Sequence, residues 1–477
     1  MSGFKNYWFY PVCFIVIIVF TRIVNFNGLY GQDAYEYVNY ATQLKYFVKN
    51  TSHDGAYFWP LFYPFTGALL STMFSLALAL QLVSVCSLLL LTVYLEKTLQ
   101  ALYSEQKSAI RLYVLLFLML SPYALRASMV VMSDCLCMFL LLAGFYHTLR
   151  YQQTMKNKHL VLLVLYAALA CYTRYAAFVI LVSPFLYITI GLIRKPQWKI
   201  IGIGALVAVP FLCLLLIFKQ SQQGFIQHAW LQGWSVGNFI KNRFTTIDGT
   251  ASYTVWNCLF GIFNLFYPGF CFMGLIFVIA GRKKIFESIK ESIFFKMILA
   301  AVLIYACFLA GIPFQNQRFL LLSFPLVLIL FYPGFMHLLS KIENKPKILK
   351  NALLYATIII QLGLFGRAFR PFYHYNKLEQ TISLAVLKIS PESDLYTFSV
   401  DGALKYYGVK NKIVNLWSYR LDTMEITSPA FVLYNEQAFR EQWKGKNPML
   451  NWEFLKQQYQ FTKLENLPDN WELYEIR

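Results

Sequence analysis

Residues 60–75 read PLFYPFTGALLSTMFS, and whether this stretch crosses a bilayer sets the sidedness of everything after it. It is apolar, but it holds two prolines and is short against the roughly 20 residues that a crossing takes. Counted as a span, it would place every later Lys and Arg cluster on the outer side. Left at the interface, it places them all inside, where basic loops belong. It is therefore read as a juxtamembrane helix.

Around it, long apolar segments recur at 9–24, 77–96, 110–124, 134–149, 159–173, 175–193, 199–218, 254–280, 293–312, 319–339 and 348–366, which predicts about 11 spans. The inner loops then hold Lys97, Lys107 and Arg111, then Arg150, Lys156 and Lys158, then Arg194, Lys195 and Lys199, then Arg282, Lys283, Lys284 and Lys290, and last Lys341, Lys345, Lys347 and Lys350. The N-terminus is expected in the cytoplasm, with the segment after Lys5 retained as the first span because no small-residue cleavage site follows it. An odd number of crossings brings residues 367–477 out on the other face.

Composition agrees. A chain of 477 residues that is 58% hydrophobic and 14% charged, with mean hydropathy +0.49, has more apolar surface than one soluble core can hide. The net charge of +19 follows topology rather than a basic run, zinc spacing or RNA-binding motif, so nucleic acid is excluded as a partner. The nine cysteines lie in apolar segments and none occurs after Arg367, which supports neither a disulfide framework nor a CxxC metal site. The fold class expected is an α-helical polytopic membrane protein, multi-pass and with a bacterial inner membrane as its expected location, in two parts. Residues 1–366 form the transmembrane domain. Residues 367–477 are polar, with β-rich runs at Leu395–Val400, Lys412–Asn415, Ala430–Tyr434, Gln460–Leu464 and Glu472–Ile476 and helical patterns near 375–388 and 436–443, which predicts a small extracytoplasmic α/β domain.

Chemistry is expected on the outer face, where charges are few. Its first loop reads Gly31-Gln32-Asp33-Ala34-Tyr35-Glu36-Tyr37 and later Trp59-Pro60-Leu61-Phe62-Tyr63-Pro64. Asp33 with Glu36 three residues on forms a capping box for the helix that follows; the same carboxylate can take a proton from an acceptor hydroxyl. Tyr35, Glu36 and Trp59 are candidate substrate contacts. Asp134, after Ser133, suits a helix N-terminus by capping and dipole, yet an acid entering a bilayer helix needs a polar partner or a wet cavity. Arg174 and Arg318 are read either as interfacial anchors or as forks for a lipid phosphate. Arg243 and Lys241, in the long loop 219–253, are candidates of the same kind. His53-Asp54 reads as a turn, with His53 and Asp33 as the weak candidates for a metal.

In order and sidedness these motifs resemble the GT-C glycosyltransferase superfamily, which includes protein O-mannosyltransferases and lipid A aminoarabinose transferases. The likeness rests on the acid after the first span, the Pro-aromatic interfacial helix, Ser133-Asp134-Cys135-Leu136, Thr173-Arg174-Tyr175, and Arg318-Phe319-Leu320-Leu321 followed by Pro325. It covers roughly residues 1–340. It departs at Asp33-Ala34, where protein mannosyltransferases carry two adjacent acids, and at Phe58-Trp59, where aminoarabinose transferases carry a Lys.

The resemblance implies transfer of a sugar from a polyprenyl-phosphate donor to the hydroxyl of a glycan, lipid or protein acceptor, with inversion. Asp33 would be the base or acceptor-orienting residue and Asp134 a second acid. Arg318 or Arg243 would steady the lipid phosphate. A divalent cation is left open as cofactor. The rivals are a lipid-linked polysaccharide polymerase and a transporter or flippase; a transporter should show mid-bilayer acids, broken helices or a repeat between halves.

Overall fold

A computed structural model describes residues 9–50, 57–194, 198, 202, 204, 205, 209, 229–246, 249–418, 420, 421, 426 and 429–477. The chain opens with an apolar helix, α1 (Phe9–Ile23), followed by α2 (Gly31–Asn50). The stretch that begins at Pro60 forms α3 (Phe62–Leu70), of 9 residues. At 1.5 Å per residue it is roughly 13 Å long, too short for a crossing. Next come α4 (Leu76–Leu102) and α5 (Lys107–Val114), the latter continued by a π-helical turn over Leu115–Met119. The helix then breaks, and α6 (Pro122–Met129) leaves at 63°. Pro122 sits in the first turn of α6, where a missing N–H goes unnoticed. Three helices follow: α7 (Asp134–Thr154), α8 (Asn157–Thr173) and α9 (Ala177–Arg194).

The span expected at 199–218 lies almost wholly outside the described residues. Beyond it, β1 (Arg243–Thr246) and β2 (Gly249–Ser252) form an antiparallel hairpin. The span expected at 254–280 is two helices instead of one. α10 (Asn257–Leu265) stops before Tyr267-Pro268-Gly269, and α11 (Gly274–Glu291) runs on through Arg282-Lys283-Lys284. Pro268 has no N–H to continue the ladder, and the break is fastened to the one before α6. Ser121 Oγ donates to the Phe270 carbonyl at 2.8 Å, and the Tyr123 N–H donates to the Gly269 carbonyl at 3.0 Å. The membrane body closes with α12 (Ile293–Gly311), α13 (Gln317–Leu320), α14 (Phe324–Glu343) and the 40-residue α15 (Lys347–Val386). α15 passes without interruption through the boundary expected at 366/367.

Among the described residues, four helices are long and apolar enough to cross a membrane: α4, α12, the run Gln317–Glu343, and α15. The bent pair Lys107–Met119 and Pro122–Met129 makes a fifth if it is one span. The shorter apolar helices Phe9–Ile23, Asn157–Thr173 and Ala177–Ile193 coincide with three more of the expected segments.

The C-terminal part is a five-stranded sheet in the order β4-β3-β5-β7-β6, built from β3 (Leu395–Thr397), β4 (Ile413–Asn415), β5 (Ala430–Tyr434), β6 (Phe461–Leu467) and β7 (Trp471–Ile476). β3 runs parallel to β4 and β5, and β7 antiparallel to β5 and β6. Every residue of β5 is buried, as a central strand requires. Each β-rich run of the sequence lies on one of these strands. Two helices of this part, α16 (Asp401–Tyr406) and α17 (Asn447–Gln458), were not expected. α17 buries Met449, Trp452 and Leu455, a period of three inside an otherwise polar stretch.

Candidate active site

The first loop is tied to the start of α7 through the backbone. Gly28 has φ +82°, a conformation open to glycine, and a Cβ there would lie 3.0 Å from the Met129 carbonyl. Its own carbonyl accepts from the Val131 N–H at 2.8 Å. Gln81 and Ser84 of α4 donate to the Met129 and Met132 carbonyls at 2.7 and 3.1 Å. This lacing brings the helix starts that carry Asp33 and Asp134 side by side.

α2 begins at Gly31 with φ +64°, so Asp33 is in the first turn rather than at the cap. The capping box is not formed, because the Asp33 carboxylate is taken elsewhere. Arg318, in the last turn of α13, places Nη1 2.6 Å from Asp33 Oδ2 and Nε 2.7 Å from Asp134 Oδ2. Arg174, between α8 and α9, donates Nη1 to Asp134 Oδ1. Ser133 makes no cap either; its Oγ is 2.8 Å from the Tyr37 hydroxyl. Four residues drawn from segments up to 285 positions apart thus form one chain of charge: Asp33, Arg318, Asp134, Arg174.

The two acids differ. Asp134 is 2% exposed and both of its oxygens accept from guanidinium groups, which satisfies a buried carboxylate and occupies it. The Asp33 side chain is 37% exposed and bonds Arg318 through Oδ2 alone, so Oδ1 is open. Chemically, the cluster can hold one carboxylate in a fixed direction and let it take a proton.

The other candidates lie elsewhere. The Tyr35 hydroxyl donates to buried Glu379 of α15 at 2.9 Å. Glu36 accepts weakly from Asn39 at 3.4 Å, and burial raises its carboxyl above the usual range. Trp59 stands edge-to-face on Phe58 at 4.6 Å. Arg243 is exposed on β1 and Lys241 donates to Asn238 at 3.4 Å; neither joins the cluster. His53 and Asp54 lie outside the described residues. Among the described residues no three His, Cys, Asp or Glu side chains gather as a metal site would need. A divalent cation bridging Asp33 and Asp134 would compete with Arg318 for Oδ2 of each.

A further cation was passed over in the sequence. Arg126 of α6 lies between the rings of Tyr123 and Phe372. Like Arg174 and Arg318, it stands in a stretch poor in positive residues, and that scarcity is the signal that could have found it.

The sequence model of the Alg9-like mannosyltransferase family matches residues 15–389. The chain belongs to this family. As an Alg9-like, GT-C-type protein it is a membrane glycosyltransferase. No curated protein matches it in sequence. Its fold is similar to that of ArnT from Cupriavidus metallidurans bound to undecaprenyl phosphate, with TM-score 0.63, 12% identity and 97% of each chain covered. It is also similar to the Archaeoglobus fulgidus oligosaccharyltransferase AglB in complex with an inhibitory peptide and a dolichol-phosphate, with TM-score 0.51 and 11% identity over 99% of this chain and 74% of the other. At such identities the likeness of the Alg9-like chain to these structures is one of fold.

Proposed function

We propose that this glycosyltransferase moves one sugar from a polyprenyl-phosphate donor to an acceptor hydroxyl on the extracytoplasmic face, inverting the anomeric carbon. The observation that carries the reading is the open oxygen of Asp33, aimed by Arg318 and backed by Asp134. Asp33 Oδ1 takes the acceptor's hydroxyl proton as its oxygen bonds to the anomeric carbon. The bond from that carbon to the phosphate oxygen breaks, and its electron pair stays on the phosphate. Phosphate is a good leaving group at neutral pH, so one base and electrostatic stabilisation of the departing charge suffice. Asp134 fixes Arg318 and Arg174 and does not take a proton. The lipid phosphates in the two similar structures support a lipid-phosphate donor; the basic loops assigned to the cytoplasm support the sidedness.

The test is Asp33→Asn in reconstituted membranes with a labelled polyprenyl-phosphate sugar. Loss of a general base should slow transfer by roughly 10²–10⁴-fold. Transfer at the wild-type rate rejects the assignment. Product size settles the polymerase reading, since a single transferase adds one residue and a polymerase gives a ladder.

A further inference from the structure

The four-membered cluster is neutral. Asp33 and Asp134 bring two negative charges, and Arg174 and Arg318 bring two positive ones. Arg318 already directs Nε and Nη1 at two carboxylates at 2.7 and 2.6 Å, so its charge is balanced inside the cluster and adds no net attraction for a phosphate. Another cation is needed.

Arg126 meets the requirement. Its guanidinium carbon stands 4.6 Å from the Tyr123 ring centroid and 4.3 Å from that of Phe372, a sandwich that holds the plane without using its N–H groups. The side chain is partly buried. Among the described residues no carboxylate pairs with it and no hydrogen-bond acceptor meets its five N–H donors. It lies within electrostatic reach of Asp134 and Arg318. Phe372 also stacks on Tyr30 at 4.1 Å, and Tyr30 stands three residues before Asp33. One positive charge, undischarged and partly desolvated, thus faces the start of the helix that carries the base.

We propose that Arg126, clasped between Tyr123 and Phe372, binds the lipid-linked phosphate of the donor, and that Arg318 does not. This rests on the transfer reading above. A sugar phosphodiester carries one negative charge, which Arg126 balances; the phosphate monoester released on transfer carries about 1.5 to 2, so attraction to Arg126 grows as the bond breaks. The rival is a purely structural role, in which the guanidinium only fastens α6 to α15.

The experiment uses the full chain in nanodiscs of zwitterionic phosphatidylcholine, with polyprenyl monophosphate and uncharged polyprenol as probes. The wild type should bind the phosphate at least about tenfold more tightly than the alcohol. Arg126→Gln should lose that preference and raise the donor KM about tenfold or more, with polyprenol binding unchanged. Arg126→Lys should fall between. In the wild type, phenylglyoxal modification of Arg126, followed by mass spectrometry, should be blocked by polyprenyl phosphate and not by polyprenol; this holds whether or not the variants fold. Equal modification with both probes, or an Arg126→Gln protein that keeps the phosphate preference, overturns the role of Arg126 and leaves the transfer reading standing. A wild type with no preference for the phosphate overturns both.

Discussion

A carboxylate bonded by two guanidinium groups cannot act as a base while both stay in place, and this separates Asp134 from Asp33. Its role in holding the site can be measured by removing one partner. Arg174→Gln leaves Asp134 Oδ1 unpaired in a position where the carboxylate is 2% exposed. Breaking a buried pair from one side costs roughly 3–5 kcal/mol, so the variant should melt well below the wild type in detergent, while an unchanged melting temperature would deny the pair any structural part. The residues of the cluster were each visible in the sequence, because charges on an otherwise apolar chain stand out. Their division of labour was not. Whether Asp33 caps its own helix or reaches Arg318 depends on a partner 285 positions away, which no local pattern encodes.

At the scale of the helices, close approach takes over from hydropathy. Gly281 of α11 faces Gly334 of α14, and a Cβ on Gly281 would lie 2.2 Å from the Gly334 Cα. Small residues at such crossings let backbones touch where no hydrophobic force between helices is available. Gly281→Leu should force them apart, costing about 1–3 kcal/mol, whereas Gly363→Leu, whose Cβ would meet nothing within 4 Å, should melt like the wild type. In the C-terminal part, burial pushes the Glu436 carboxyl up, but bonds from Arg440 (2.8 Å) and Lys456 (3.1 Å) outweigh it and leave it at about 2 instead of 4.5. A carboxyl held below its unfolded value adds stability above a pH of about 4.5 that fades as the pH falls towards 2. Glu436→Gln should therefore lower thermal stability near neutrality, with the gap to the wild type closing as the solution is acidified. The apolar segments foretold most of these helices. The interruption at Tyr267-Pro268-Gly269 escaped because an average over some 20 residues is blind to a turn flanked by apolar residues on both sides.

Across the whole molecule, the C-terminal sheet unit holds the loop that carries the base. Gln32 Nε2 donates to Asp401 at 2.6 Å, and its Oε1 accepts from the Gly402 N–H at 3.2 Å. Asn27 donates to Tyr407 at 2.9 Å, and Asn376 donates to Asn27 and to the Leu29 carbonyl, both at 2.8 Å. A Cβ on Gly402 would fall 2.6 Å from Gln32 Oε1 and 2.9 Å from Tyr35 Cβ. Gly402→Leu should push α2 off this seat and shift Asp33 by an ångström or so, a misplacement that can cost on the order of 10²-fold in rate. The expected result is a fall in kcat with donor binding largely kept; an unaltered kcat would mean that the unit only shields the site. The polar tail announced such a unit, but its contact with α2 runs through single amides and hydroxyls that sequence alone does not pair. One more consequence follows from α15. At 40 residues, with Pro371 inside it, it follows a path of roughly 60 Å that begins in the membrane body and ends as a buttress of the sheet. An antibody fragment raised against the sheet would therefore be oriented with the membrane helices, giving electron cryomicroscopy a rigid alignment marker for a particle otherwise hidden in its detergent belt.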